Sequence, residues 1–322
     1  MILHIHNGDA SADVAKQSSI PGEHFAWREA LIDGPAPAAA NEQEWRRVRA
    51  RHLSEAYGFE PAELESESVA QEEKLASFTD YEEVVLWFEH DLFCQVHLIY
   101  LLNWFADRDL GKTKLSLICV GSFPGRGNFR GLGELSAEEL SSLFPSRQSV
   151  TREQLDLATR AWDAYRSTDP RDLESLLQND TSALPFLAPA LKGHLRRFPS
   201  TANGLGRIEN RGLQLVNSGL NNFDALFQRF GEVEPVYGLG DTQFWMSLRR
   251  LAEANQPLLT ISGDSPAPET KIEITDLGRA VLRGEGDFIL LNGIERWLGG
   301  VYLSDDRNLW RWDDESEAMV QA

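Results

Sequence analysis

Apolar positions in the first 122 residues follow two rhythms. Short apolar runs at Ile2–Ile5, Glu23–Trp27 (after a Pro21-Gly22 turn), Glu83–His90 (EVVLWFEH) and Lys114–Gly121 (KLSLICVG) read as strands. The last two lack alternation, as expected of strands buried on both faces of a parallel sheet. Between the runs the period lengthens. Trp45, Val48, His52 and Ala56 share one helical face over Glu42–Tyr57, and Leu92, Val96, Ile99, Leu102 and Phe105 share another over Asp91–Asp107. Helices are also expected at Ser11–Ser18 and Glu63–Phe78. Strand–helix–strand units with right-handed crossovers predict an α/β domain at residues 1–135, with an open, mostly parallel, Rossmann-like sheet.

The pattern changes after the glycine-rich loop FPGRGNFRGLG (residues 123–133). Ser136 with Glu139, and Thr151 with Gln154, are capping boxes that open helices, so residues 136–197 read as a helical connector. Residues 198–315 carry helices near Leu205–Leu215, Phe223–Phe230 and Thr242–Ala254. Strands at Leu258–Ile261 and Lys271–Ile274, a helix capped by Thr275 and a hairpin in GGVYLSDDRNLWRWDD follow. Helices followed by a short hairpin predict a winged-helix-like domain. The acidic tail, residues 316–322, is expected to fray.

Composition narrows the function classes. The chain has 322 residues, 42% of them hydrophobic, so two cored domains are affordable. No apolar run reaches the ~20 residues that span a bilayer, and His4, His6 and Asp9 interrupt any signal-like start. A cytoplasmic protein with no membrane partner is expected. The two cysteines, Cys94 and Cys119, have neither metal nor redox spacing and read as buried hydrophobes. A net charge of −19 repels polyanions. Nucleic acid is left with one local face, where Lys192, Arg196, Arg197, Arg207 and Arg211 outnumber Glu209. An ordinary helical surface or a docking module explains that face equally.

The polar clusters fall where the predicted strands end. His6-Asn7-Gly8-Asp9 follows the first strand, Trp27-Arg28-Glu29 the second, Glu89-His90-Asp91 the third and the glycine loop the fourth. Open α/β sheets bind ligands at these carboxyl ends. A crevice there is expected to hold a small anionic molecule through Asn7, Gly8, Arg28, Glu29, Gly125, Arg126, Gly127 and Arg130. His90 is the candidate acid/base, oriented by Asp91, and Asp9 is the third candidate catalytic group. Asp9 and Asp91 serve equally well as helix N-caps, and His4 and His6 as satisfied core histidines. The loop lacks a P-loop ending, no serine elbow is present, and no metal motif is complete. The run Arg46, Arg47, Arg49, Arg51 reads as a solvated helix face.

Several of these stretches together resemble a bacterial family of unknown function, the DUF 1835 group. They are LHIHNGD (Leu3–Asp9), IPGE (Ile20–Glu23), WRE (Trp27–Glu29), DGP (Asp33–Pro35), LWFEHDLF (Leu86–Phe93) and FRGLGELS (Phe129–Ser136). FPSTANGLGRIE (Phe198–Glu209) and WLGGVYL (Trp297–Leu303) look like the C-terminal part of longer members. The resemblance implies a bacterial cytosolic protein and no particular activity or cofactor. The expected function is ligand binding by the α/β domain, coupled to a winged-helix module that regulates or docks. The alternatives are a hydrolase or transferase acting on a phosphorylated or nucleotide-like molecule, and a protein–protein adaptor.

Overall fold

The computed structural model describes residues 1–38, 41–127, 129–267, 270–304 and 309–321. It divides into two units, Met1–Ala190 with Gly299–Val301, and Leu191–Leu298 with Tyr302–Ala322. The first begins β1 (Ile2–Asn7), α1 (Asp9–Lys16), β2 (Glu23–Trp27), a two-residue β3 (Gly34–Pro35), α2 (Glu42–Tyr57) and α3 (Pro61–Ala76). It continues β4 (Glu83–Glu89), α4 (Leu92–Ala106), β5 (Lys114–Val120), α5 (Ala137–Leu143), β6 (Gln148–Ser149), α6 (Arg152–Arg166) and α7 (Arg171–Leu177).

Five strands form one sheet in the order β2-β1-β4-β5-β6. The first four are parallel and β6 runs antiparallel on the edge. The unit is therefore α/β with a mixed, mostly parallel sheet. Parallel strands need covered faces, and the side-chain alternation shows both are covered. Val85, Trp87 and Ile118 pack with Ala15 of α1, Leu140 of α5 and Leu132 of the intervening loop. Leu3, Ile5, Val84, Leu86 and Phe88 have the opposite parity and are fully buried. On that side lies α4, apolar almost all round because α6 packs behind it. Chain order reverses between β1 and β4, which makes their carboxyl ends the topological switch point.

His4 and His6 share the Trp87 face and are fully buried. Trp87 Nε1 donates to His4 Nδ1 (3.0 Å), so the His4 proton is on Nε2 and faces the Pro21 carbonyl (3.1 Å). His6 Nε2 lies 3.1 Å from His24 Nδ1, and His24 Nε2 lies 3.3 Å from the Ile20 carbonyl. The imidazoles thus tie β1 to β2 and to the turn before it.

The second unit holds α9 (Arg207–Asn217), α10 (Phe223–Val233), α11 (Asp241–Ala252), β7 (Leu259–Ser262), β8 (Lys271–Ile274), α12 (Asp276–Leu282) and α13 (Phe288–Asn292). Between the units in sequence, α8 (Leu187–Leu195) runs across the boundary. After α13 come β9 (Glu295–Gly299), β10 (Val301–Ser304), β11 (Trp310–Asp313) and β12 (Ala318–Gln321). The capping boxes of α5 and α6 and the Thr275 cap of α12 form as the sequence predicts. Two expectations are corrected. The GGVYLSDDRNLWRWDD stretch is not one hairpin: β10 pairs with β9, while β11 pairs with β12; Asp305–Asn308 lie outside the described residues. The acidic end does not fray, because Met319 is buried opposite Trp312 in the β11–β12 ladder.

Candidate functional site

Gly8 makes the turn from β1 into α1. Its φ of +86° suits glycine, and its N–H donates to the carbonyls of His6 and Trp27 (3.0 Å each). That turn leaves Asn7 at the switch point, where a chain of side-chain bonds can be followed atom by atom. The Leu31 N–H donates to His97 Nε2 (3.1 Å), so the His97 proton is on Nδ1 and donates to Asn7 Oδ1 (2.6 Å). Burial lowers the His97 pKa to about 4, which keeps this imidazole neutral. With its oxygen so engaged, Asn7 turns its amide N–H to Cys94 Sγ (2.8 Å). The Cys94 thiol donates to Glu89 Oε2 (2.7 Å), and Glu89 Oε1 accepts the Leu132 N–H (2.5 Å).

Asp91 is the N-cap of α4, and its Oδ1 accepts the Cys94 N–H (2.8 Å). One donor atom from each of Glu89, Asp91 and Cys94 lies within 4.8 Å of the other two. Neither carboxyl has an ion-pair partner among the described residues. Burial, then Asp91, pushes the Glu89 carboxyl up to about 7; burial raises Asp91 as well. The thiol is held well above its usual range by burial, then by Asp91 and Glu89. Near neutral pH the cluster retains protons that separated groups would release. Gly131 closes it from above: with φ +157°, a Cβ there would lie 3.1 Å from Glu89 Oε1.

A carboxyl raised on folding stabilises fully below its unfolded pKa of 4.5 and loses that contribution as pH climbs through 7. In metal-free protein, Glu89→Gln is expected to match wild type near pH 4.5 and to be more stable above pH 7, by up to about 3 kcal/mol. Urea midpoints across that range check it. A Gln variant less stable at pH 8 contradicts the assignment.

The residues proposed from sequence are only partly brought together. Asp9 does not cap α1, whose N-cap is Gly8; instead it holds Arg28 in a two-pronged pair (2.8 and 2.7 Å), half exposed. Arg28 is therefore not a vacant anion site. Glu29 pairs with the buried Arg49 (2.6 Å), which corrects the reading of that arginine run as a solvated face. Asp91 bonds the α4 backbone, and no hydrogen bond joins it to His90. The His90 ring packs edge-on against Phe186, and its buried Nδ1 has no hydrogen-bond partner among the described residues. In the glycine loop, Arg126 pairs with Glu139 and Arg130 with Glu134, while Gly125 and Gly127 have open space beside them.

In the second unit, Arg196 and Lys192 contact Glu317, and Arg207 and Arg211 share Glu234. Arg197 is buried. Glu234 and Glu317 lie far from these cations in sequence, and together they halve the local charge the sequence suggested.

The sequence alone does not single out Glu89 and Cys94, although it carries a parity signal for Glu89. It follows Val85 and Trp87 at two-residue spacing, so it faces the loop. Asn7 follows Leu3 and Ile5 to the α4 side, and the two meet only where the strands stop. Fold and site together define an α/β unit with a buried carboxyl–thiol cluster at its switch point. Neither a scan against protein-family models nor a comparison with curated proteins returns a match for the chain. Among the described residues no helix is long and apolar enough to cross a membrane.

Proposed function

We propose that the α/β unit binds a divalent cation of the zinc class at the switch point, with the Cys94 thiolate and one oxygen each from Glu89 and Asp91 as ligands. The observation that carries this reading is the mutual approach of those three donors within 4.8 Å. A cation would take the place of protons that burial now forces onto Glu89 and Cys94, so binding releases protons and tightens with pH. One thiolate with two carboxylate oxygens suits zinc better than magnesium or calcium, which prefer oxygen alone. Asn7, fixed by His97, supports the sulfur through its amide N–H.

The resemblance to the DUF 1835 group belongs to the same proposal, as does a winged-helix reading of the second unit. What supports the latter is the order α9–α10–α11–β7–β8, with Asn222, just before α10, bridging antiparallel to Lys271 of β8. Wings are built by such a pairing of a short early strand with the later hairpin. On this reading the chain is a ligand-responsive regulator whose second unit docks a partner.

Cobalt tests the metal site. Titrating chelator-treated protein with Co²⁺ at pH 8 should give a saturable thiolate-to-cobalt charge-transfer band in the near ultraviolet. Zn²⁺ should displace it, Cys94→Ser should abolish it, and Asp91→Asn should weaken binding about tenfold or more. No band under Co²⁺ excess, or a band that survives Cys94→Ser, rejects the proposal.

A further inference from the structure

A second concave site lies at the carboxyl end of β2, between α2, α3 and α4. Its walls include Trp27, Trp45, Tyr100, Ser68, Arg46 and Glu72. Trp45 and Tyr100 are nearly parallel (12° between planes, centroids 6.2 Å apart), and the Trp27 ring lies 5.7 Å from Tyr100. Three arginines line the site and each is paired: Arg28 with Asp9 at the exposed edge, Arg46 with Glu72, and Arg49, at the base, with Glu29. The neutral donors are not. Trp27 is 5% exposed, and its buried indole N–H has no acceptor among the described residues. The hydroxyls of Tyr100 and Ser68 have no hydrogen-bond partner among the described residues.

An indole N–H shut away from water without an acceptor is costly, and native structures rarely leave one so. Here it coincides with two further unused hydroxyls and a wall of three aromatic rings. The space inside is narrow, about 20 Å³, enough for one oxygen-sized group. Trp27 is the most buried of the aromatic walls; Trp45, Tyr100, Ser68 and Arg46 are all partly exposed at the rim.

We infer that this pocket binds a small planar molecule through an sp² oxygen, a carboxylate or a carbonyl. The oxygen enters to meet the Trp27 N–H and the hydroxyls of Tyr100 and Ser68, and the ring rests against Trp45 and Tyr100. Neutral donors arranged around an aromatic surface select an acceptor on a flat body. A phosphate group would need unpaired cations, and none lines the pocket once its ion pairs are formed.

The full chain, kept in chelator so that the Glu89 cluster plays no part, is titrated with benzoate and separately with benzamide. The ¹H–¹⁵N signal of the Trp27 indole, assigned through its own backbone, is followed among those of the nine tryptophans. A saturable shift with either probe supports the pocket, and the tighter of the two identifies the oxygen as carboxylate or carbonyl. Tyr100→Phe keeps the ring and should weaken that binding about tenfold. The inference is overturned if neither probe moves the signal, if acetate or phosphate moves it as strongly at equal concentration, or if Tyr100→Phe binds as wild type does.

Discussion

Lowering the pH from 7 to about 4 is expected to unfold the α/β unit, with buried histidines as the main cause. Burial brings His4 to a pKa of about 4, and His97 likewise. His6 is held well below its usual value by burial, then by His24, and His24 itself is lowered by burial. In the unfolded chain all four take up protons near 6.5, whereas the folded chain refuses those of His4 and His97 until about 4, holds His6 well below its usual value and lowers His24 as well. Stability therefore falls by about 1.4 kcal/mol per pH unit for each such histidine below 6.5. Between 6.5 and 4, His4 and His97 together account for a loss of about 6 kcal/mol. The raised Glu89 carboxyl returns up to about 3 kcal/mol over the same range. That leaves a net loss of about 3 kcal/mol before His6 and His24 are counted, against a typical total of ~5–15 kcal/mol.

The geometry explains why the refusal is firm. A second proton on His4 would meet the Trp87 N–H, and one on His97 would meet the Leu31 N–H. Urea melts at pH 7, 5.5 and 4.5 should show this fall, and ¹³C-labelled imidazoles of His4 and His97 should stay neutral until the fold is lost. A stability that is flat over this range, or imidazoles titrating near 6.5 in folded protein, would falsify the assignment.

Much of this fold is legible in the sequence because parallel strands buried on both faces leave an unmistakable trace. EVVLWFE and KLSLICV have few polar positions, and nothing but a central strand or a buried helix tolerates that. Caps are equally readable, since Ser136, Thr151 and Thr275 act within their own first turn. Partnerships across the chain are not readable. Arg28 looks available because Asp9 is 19 residues away, and the Arg196–Arg211 face looks basic because Glu234 and Glu317 enter it only through folding. The sequence places four strand ends along one edge of the sheet, where the parallel pairing of β2, β1, β4 and β5 brings them, but which side chains meet there depends on parity and on α4. That is why Cys94, which packs like a hydrophobe by composition, is found bonded to Glu89.

Arg49→Met is expected to cost about 3–5 kcal/mol at pH 7, whereas Arg28→Ala should cost less than about 1 kcal/mol. Both arginines hold a carboxylate, but Arg28 and Asp9 are about half exposed, so water replaces either partner. The Arg49 side chain is 1% exposed and Glu29 12%. Burial alone would drive the Glu29 carboxyl upward; Arg49 outweighs burial and holds it below its ordinary value. Arg49 also donates to the carbonyls of Ala30 (3.0 Å), Asp33 (2.7 Å) and Pro35 (3.1 Å), so one guanidinium organises the whole segment after β2. Methionine fills the space but leaves a buried carboxylate and three carbonyls without their donor. Two consequences separate this from a packing defect. The penalty should shrink in mildly acidic buffer, once the stranded Glu29 takes up a proton, and Glu29→Gln/Arg49→Met should lose less than the sum of its single changes. Leu31 lies in the same segment and fixes the His97 proton, so loosening it also frees Asn7 from its orientation toward Cys94. Faster reaction of the Cys94 thiol with a disulfide reagent in Arg49→Met, measured where the variant is still folded, would register that second effect; an unchanged rate would confine Arg49 to the segment it holds.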